Sequence, residues 1–382
     1  MKHNIGLFNN CYGCGVCAIA CPRKIIEIRE NANGFYEPFV SDEARCTDCG
    51  ICLSVCAYND TKVLTNIQSS KPDYYAVWSK DVAIRQEASS GGVGFILAKS
   101  LIEKGYRACG VRYNSEKKRA EHFIADTVEA YLPSIGSKYI PSYTFAGFSG
   151  LNRDDRFFVT GTPCQIDSMR RWIHKAKIEH KFVLMDFFCH GVPSLNMWRK
   201  YLESVPIRTN KESIVKWRDK TNGWHDSWTI KITDRDEVFI SSLLRNNDLF
   251  YRFFLGNHCL GEACYRCKYK MDASAADIRI GDMWGSTYES DQKGVSALIA
   301  LTERGKHVVE SLDDCQLNPF PASLVMEGQM RIPASKPFIY PLINRMLKGE
   351  KTLSAIFAYV KWYNLFRLPL RVLRKIRNII RK

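Results

Sequence analysis

The sequence predicts a mixed α/β protein, α+β or α/β in class. It should consist of a small cysteine-rich unit, a larger body and a basic amphipathic C-terminal helix. Three observations predict this. Eight of the 15 cysteines fall within the first 56 residues, so they are a local device rather than a general staple. From about Asp73 onward, apolar runs of strand length alternate with stretches of helical periodicity. After Glu350 there is no acidic residue, while nine of the 55 Lys and Arg lie there. The expected division is residues 1–65, 66–345 and 346–382.

A length of 382 residues suffices for two or more domains and a sizeable core. With 46% apolar and 25% charged residues the make-up is ordinary for a globular protein, which argues against a disordered or fibrous chain. No run approaches the roughly 18–20 apolar residues that a membrane-spanning helix needs. The opening MKHNIGLFNN has no apolar segment of signal-peptide length. A cytoplasmic, reducing location is therefore expected, where clustered cysteines bind metal rather than pair as disulfides. The formal charge is +15, but the first 350 residues carry 46 basic against 40 acidic side chains, so the excess belongs to the tail. A body this mildly basic gives little support to nucleic-acid binding.

In the first unit, Cys11-Tyr-Gly-Cys14-Gly-Val-Cys17-Ala-Ile-Ala-Cys21-Pro22 is followed by Cys46-Thr-Asp-Cys49-Gly-Ile-Cys52-Leu-Ser-Val-Cys56. Both runs read C-x2-C-x2-C-x3-C. Three thiolates from such a loop hold three irons of a cubane, and the fourth cysteine is expected to start a short helix and point at the other cluster. The spacing assigns Cys11, Cys14, Cys17 and Cys56 to one 4Fe-4S cluster, and Cys46, Cys49, Cys52 and Cys21 to a second. Structural zinc also uses paired C-x2-C, but it needs no third cysteine at x2 and no fourth at x3. Residues 25–29 and 34–40 read as short strands joined by an Asn/Gly turn. Over residues 1 to about 65 the chain resembles the bacterial dicluster ferredoxin domain, which implies two clusters close enough for electron hopping.

In the body, residues 74–78 read as a strand, and Glu87-Ala-Ser89-Ser90-Gly91-Gly92 leads into a helix carrying Leu97, Leu101 and Ile102. A Ser/Gly loop at a helix N-terminus offers N–H groups and hydroxyls to an anion such as a pyrophosphate; a plain serine cap is the alternative. Residues 156–160 form an apolar strand running into Gly161-Thr162-Pro-Cys164-Gln and a helix with Ile166, Met169, Trp172 and Ile173. Residues 182–188 form another, ending at Cys189-His190-Gly191. Residues 278–285 read as a strand and turn. Cys164 and Cys189 thus follow strand ends, where sites on α/β sheets collect. With Cys259, Cys264 and Cys267, five cysteines compete for four places, and spacing alone does not choose among them.

Ser89-Ser-Gly-Gly, Gly136-Ser-Lys-Tyr, Gly161-Thr-Pro-Cys-Gln, Phe188-Cys-His-Gly-Val-Pro-Ser, the Cys264/Cys267 pair and Ala276-Asp-Ile-Arg-Ile-Gly-Asp-Met-Trp-Gly occur in this order. Together, over residues 70–345, they resemble the β-subunit family of coenzyme F-420 (deazaflavin) hydrogenases and dehydrogenases. Cys189-His190-Gly191 departs from the archaeal pattern and is similar to the bacterial branch. The resemblance implies FAD and a third 4Fe-4S cluster in the body. Its cluster ligands carry over to Cys164, Cys189, Cys264 and Cys267, with Cys259 as an alternate. Ser90, Gly91 and Gly92, with Ser89, match the flavin-phosphate loop, and Lys138 matches a basic residue near the flavin. Thr162 is placed with the flavin contacts, and Asp282 either orients the flavin or caps the turn after it. Relatives of this kind include reductases of chlorophyll pigments and proteins of polysaccharide biosynthesis, so the deazaflavin substrate does not transfer with the resemblance.

His190 and His258 adjoin candidate ligands and are the proton-transfer candidates for the unidentified substrate. Trp217, Trp224 and Trp228 lie in a polar segment that forms either a substrate lid or a packed hairpin. After Pro369 a helix would gather Leu370, Val372, Leu373, Ile376, Ile379 and Ile380 opposite its Arg and Lys residues, a pattern suited to an anionic membrane surface or an acidic partner. The sequence reads as an iron–sulfur flavoprotein oxidoreductase. It would exchange electrons with a redox partner such as ferredoxin, at the inner face of the membrane if the tail attaches there. The alternative is a non-catalytic electron-transfer subunit of a larger complex. Two ferredoxin-type clusters exceed what a nucleic-acid-binding regulator needs.

Overall fold

The computed structural model describes residues 3–64 and 71–366. The helix expected after Pro369 lies outside the described residues. In the N-terminal unit, α1 (Val16–Ala20) is followed by the hairpin strands β1 (Ile26–Glu30) and β2 (Tyr36–Val40), and then by α2 (Ile51–Ser54). The strands are antiparallel, with Ile26 opposite Val40 and Glu30 opposite Tyr36. Gly15 and Gly50 cap the two helices at φ +73° and +68°, a conformation glycine adopts without the Cβ penalty. The helices therefore begin just before the third cysteine of each run. Cys17 and Cys52 lie inside them, Cys21 is the C-cap of α1, and Cys56 follows α2. This corrects the expectation that the fourth cysteine starts a helix: helices of five and four residues are spent before it is reached.

The body comprises β3 (Asp73–Ser79), α3 (Val82–Glu87), α4 (Val93–Glu103), β4 (Arg107–Asn114), β5 (Arg119–Ala125), α5 (Val128–Tyr131), β6 (Ser142–Tyr143), α6 (Phe145–Phe148), β7 (Phe157–Thr160), α7 (Pro163–Lys175), β8 (Phe182–Phe187) and α8 (Leu195–Ser204). There follow β9 (Ile214–Lys216), β10 (Thr229–Asp234), β11 (Glu237–Ser242), α9 (Leu243–Asn246), α10 (Leu249–Leu255), β12 (Ile278–Asp282), β13 (Ser296–Ala300), α11 (Glu303–Glu310), β14 (Cys315–Pro319), α12 (Ala322–Val325), α13 (Tyr340–Lys348) and α14 (Leu353–Phe366).

Nine strands make one mixed sheet in the order β14-β3-β13-β12-β8-β7-β4-β5-β6. Its centre, β12-β8-β7-β4, is parallel, while β14, β3 and β13 are joined to it by antiparallel pairs. The fold is thus mixed α/β with antiparallel additions, as the sequence predicts. The central strands Phe157–Thr160 and Phe182–Phe187 are apolar and almost wholly buried, as expected where both faces of a sheet are covered. Because β3 runs parallel to β12, the segments after β3, β7, β8 and β12 all leave one edge of the sheet. Those segments carry Ser89–Gly92, Cys164, Cys189 and Asp282.

A three-stranded antiparallel sheet, β11-β10-β9, forms from the tryptophan-rich segment. Trp217 and Trp224 are fully buried, so this segment packs rather than forming a lid. The N-terminal unit does not stand apart from the body. Ile5, Cys17, Ile28 and Tyr36 share an apolar cluster with Leu195, Met197, Trp198 and Phe250. Leu195 N–H donates to Gly34 O at 2.9 Å, and Arg199 pairs with Glu30. The C-terminal helices α13 and α14 join the same cluster through Ile343, Leu347, Leu353, Ile356, Phe357 and Val360.

Candidate redox site

Two cavities open in the N-terminal unit. One is lined by Cys11, Cys14, Cys17 and Cys56, with Tyr12 and Tyr58. The other is lined by Cys21, Cys46, Cys49 and Cys52, with Ile26 and Val40. These are the two sets the spacing proposes, each containing the fourth cysteine of the opposite run. Among the described residues no three His, Cys, Asp or Glu side chains converge as the ligands of a single ion do. Thiols spread around a cavity wall suit a polynuclear cluster, so the donor set fits 4Fe-4S groups. Burial pushes the Cys11, Cys14 and Cys17 thiols up, and Cys56 to about 11; such thiols exchange their protons for iron rather than ionising alone. Cys49 is exposed and Cys14 buried, so the second cavity is the outer one.

A third set gathers at the sheet edge. Burial, followed by the charges of Cys189, Cys264 and Cys267, pushes the Cys164 thiol well up. Cys189 rises to about 12 and Cys264 to about 11, with burial again the main cause. What acts on Cys259 is burial, opposed by a backbone bond with Ser194; it is fully buried in the apolar cluster. The electrostatic neighbours of Cys164 are thus Cys189, Cys264 and Cys267, and Cys259 is not among them. Thr162 caps α7, with its N–H donating to Gln165 Oε1 at 2.8 Å, and its Oγ1 lies 3.2 Å from Cys164 Sγ.

Helix α7 joins the inner cavity to this third set. Ser168, one turn after Cys164, is fully buried, and its Oγ accepts from Cys14 Sγ at 3.3 Å and from Ala57 N–H at 3.2 Å. Tyr12 lines the inner cavity, and its hydroxyl is pushed up by burial and then by Cys164, Cys267 and Cys264. Tyr12 meets Tyr269 edge-on at 5.9 Å, and Tyr269 O–H donates to Asp167 of α7 at 2.7 Å. Lys268, between the Cys267 position and Tyr269, donates to the carbonyls of Ala57, Asp60 and Lys62 at 2.7–2.9 Å. These contacts lock the end of the second cysteine run onto the third set. Spacing gave no sign of Ser168, Tyr12 or Tyr269, because their roles exist only after the chain has closed.

The loop expected to hold flavin phosphate lies at the N-terminus of α4, and its hydroxyls are already engaged. Ser89 Oγ accepts from Ser137 N–H at 2.8 Å, and Ser90 O–H donates to Val295 O at 2.6 Å. Gly91 N–H donates to Ser296 Oγ at 3.0 Å, and a Cβ at Gly91 would collide with Val77 O. What the loop offers an anion is the first turn of an eleven-residue helix, whose leading N–H groups have no partner within the helix. That fits a phosphate. Lys138 instead spends its three N–H donors on the carbonyls of Pro133, Ile135 and Gly136, at 2.9–3.0 Å. Lys220, which no motif singles out, likewise donates to Arg85, Ser90 and Lys293 carbonyls, tying the loop down from the other side.

Asp282 is paired with Arg218 at 3.0 Å and accepts from Trp224 Nε1 at 3.1 Å. Burial works against the Arg218 charge, and Asp282 and Tyr139 outweigh it, so its pKa is raised. The guanidinium lies 4.5 Å from the Trp228 ring and 5.5 Å from that of Trp284. Trp284 stacks between Trp224 and Trp228, at 5.9 and 6.2 Å. This wall of indoles around the ion pair stands beside the α4 loop; the sequence singles out Asp282, Trp224 and Trp228 one by one, but not Arg218 or Trp284 as their partners. Neither candidate histidine has a chemical setting of that kind. His190 Nε2 bonds Asn257 Oδ1 at 2.8 Å, and burial lowers its pKa. Burial, followed by Arg252, lowers His258 to about 4, and it packs on Phe253.

Residues 154–318 match the family model for the C terminus of the coenzyme F420 hydrogenase/dehydrogenase beta subunit. Residues 10–59 match the 4Fe-4S dicluster domain. The coenzyme F420-dependent sulfite reductase of Methanocaldococcus jannaschii is 27% identical over 319 residues, covering 79% of this chain and 46% of the relative. The chain thus spans about half the length of that curated relative. A solved structure of the F420-reducing NiFe hydrogenase complex from Methanosarcina barkeri, derivatised with xenon, aligns with a TM-score of 0.46 at 17% identity, over 78% of this chain and 94% of that chain. In the described residues no helix is long and apolar enough to cross a membrane. The chain is thus similar over residues 10–59 to the 4Fe-4S dicluster domain and over residues 154–318 to the C terminus of the coenzyme F420 hydrogenase/dehydrogenase beta subunit, which marks it as an iron–sulfur redox protein.

Proposed function

We propose that the chain is an iron–sulfur flavoprotein oxidoreductase. Electrons enter or leave through the outer set of Cys21, Cys46, Cys49 and Cys52. They pass through the inner set of Cys11, Cys14, Cys17 and Cys56 to a third cluster held by Cys164, Cys189, Cys264 and Cys267. Supporting this order is the α7 junction, where Ser168 touches Cys14 one turn from Cys164. FAD, when bound, exchanges electron pairs with an organic substrate and single electrons with clusters. Its phosphates would lie on the first turn of α4, with the Arg218–Asp282 pair and the stacked indoles forming the wall beside it. The organic partner is a deazaflavin coenzyme, as the relative's name suggests for that protein, or a precursor in polysaccharide biosynthesis. A ferredoxin-like protein fits the exposed outer set. The basic tail contributes attachment to an anionic membrane surface, not electron transfer.

A second reading is a relay subunit that never touches a small substrate. Anaerobic purification with iron, acid-labile sulfide and released flavin counted on one sample tests the primary reading. About 12 Fe per chain, from three cubanes, and one FAD are expected. About eight Fe and no flavin after reconstitution would overturn the flavoenzyme and leave the relay.

A further inference from the structure

Lys138, Lys220 and Lys268 each donate all three ammonium N–H groups to backbone carbonyls. Lys270 does not. It is half-buried, and among the described residues its side chain makes one hydrogen bond, to Cys189 O at 2.8 Å. That bond ties the loop after β8, which carries Cys189, to the segment that carries Cys264 and Cys267. Lys268 has the Asp167 carboxylate at 3.6 Å, whereas no carboxylate of the described residues pairs with Lys270. Residues 1–2, 65–70 and 367–382, outside the described structure, contain no Asp or Glu to supply one. Burial is the largest influence on the Cys189 and Cys264 thiols and raises both, and Lys270 is a cation that opposes it at each. Burial first, and Lys270 after it, lower the His190 pKa, so the neighbouring ring is neutral and gives no counter-charge. A half-buried cation with two unused donors is costly unless an anion sits beside it.

We infer that Lys270 is the counter-cation of the third cluster: anchored on Cys189 O, its ammonium compensates the negative charge of the cluster and stabilises the reduced form. The inference rests on the third cluster of the proposed function and adds a positioning residue to it. Four thiolates around a cubane make a net anion, and each reduction adds one more negative charge. Net charge and hydrogen bonds at the sulfurs set the potential of such a site. The event concerned is the passage of one electron from the inner cluster, which is oxidised, to the third, which is reduced; no bond forms or breaks. Lys270 favours the product side of that transfer. Lys268, two residues earlier, clamps the end of the second cysteine run and already has its own carboxylate, so the two lysines divide the work of clamp and counter-charge.

The test compares the full-length, iron-loaded parent with Lys270→Gln, which keeps an N–H donor for Cys189 O but drops the charge, and Lys270→Arg, which keeps the charge. Each is assayed for iron and titrated anaerobically under electron paramagnetic resonance. The signal that Cys164→Ser lacks identifies the third cluster. All three proteins should hold about 12 Fe. In Lys270→Gln the reduction equilibrium of the third cluster should fall by about tenfold, which is about 59 mV for a one-electron couple, while Lys270→Arg stays with the parent. A fully loaded Lys270→Gln with the parent's potential would overturn the inference, as would an equal displacement of every cluster. Loss of about four Fe from Lys270→Gln but not from Lys270→Arg would support the charge, whereas loss from both would leave Lys270 a packing residue and overturn it. A parent with about eight Fe would instead remove the third cluster itself, so that failure is distinguishable from the others.

Discussion

Cys14 Sγ lies 3.3 Å from Ser168 Oγ, across the boundary between the N-terminal unit and the body. As a thiol, Cys14 donates to Ser168. Once Cys14 gives up its proton to ligate iron, the sulfur can only accept. Ser168 Oγ already accepts the Ala57 N–H, so its own proton is the one available to turn toward the sulfur. Hydrogen bonds to cluster sulfurs stabilise the reduced, more negative state. Ser168→Ala should shift one cluster to a more negative potential and leave the iron count unchanged. An anaerobic titration followed by electron paramagnetic resonance reads this; identical potentials in parent and variant would remove Ser168 from the wire.

The association of Cys164 with Cys189, Cys264 and Cys267 sets Cys259 apart. Cys164→Ser should lower the iron content by about four atoms per chain, one cubane, and Cys259→Ser should lower it by none. Metal analysis on the two variants decides between them. Equal loss in both would place Cys259 among the ligands.

Asp186 and Arg279 are a fully buried pair on β8 and β12, joined by two bonds of 2.7 Å. Ser274 O–H also donates to Asp186 at 2.6 Å. Arg279→Met strands the carboxylate in the core and should cost about 3–5 kcal/mol. Adding Asp186→Leu should recover most of that loss, because a matched apolar pair replaces a desolvated one. The urea midpoints of the two variants test this. The strands involved position Cys189 and Asp282, so the single variant should also bind less iron.

Lys220 is 5% exposed, and burial pulls its pKa down to about 7. Arg218 and Arg85 lower it further, while Asp282 and Asp291 oppose them. Between that value and the ordinary lysine range the unfolded chain binds the extra proton, so this residue makes stability rise with pH across that window and stay level below it. The slope can reach about 1.4 kcal/mol per pH unit. Lys220→Met should flatten it. It should also lower stability at pH 7 by about 1–3 kcal/mol, since the carbonyls of Arg85, Ser90 and Lys293 lose their donor. Denaturation midpoints at pH 7.5 and 9.5, on either side of pH 8, read both effects.

The cysteine runs were legible because cluster ligation is written in local spacing, and the strands because Phe157–Thr160 and Phe182–Phe187 are continuous apolar segments. The starts of α1 and α2 were misplaced because Gly15 and Gly50 set them through a left-handed turn that the cysteine pattern does not announce. The resemblance matched Lys138 to a basic residue near the flavin, and nothing in the sequence showed a lysine consumed by three carbonyls. The Arg218–Asp282 pair joins residues 64 apart in the chain, and Trp284 meets Trp224 only once the chain has closed. Such partners are products of closure, and no window of sequence contains both.

The apolar cluster that unites Ile5, Cys17, Ile28 and Tyr36 with Leu195, Met197 and Trp198 bears on biogenesis. A dicluster unit that merely rode on its host could be excised, swapped for another, or matured as an independent piece. Here its inner cysteines are mortar in the wall it shares with the host. Metal loading and closure of the whole chain then become one maturation event, and a gene split after the second cysteine run would yield two insoluble halves rather than two working modules.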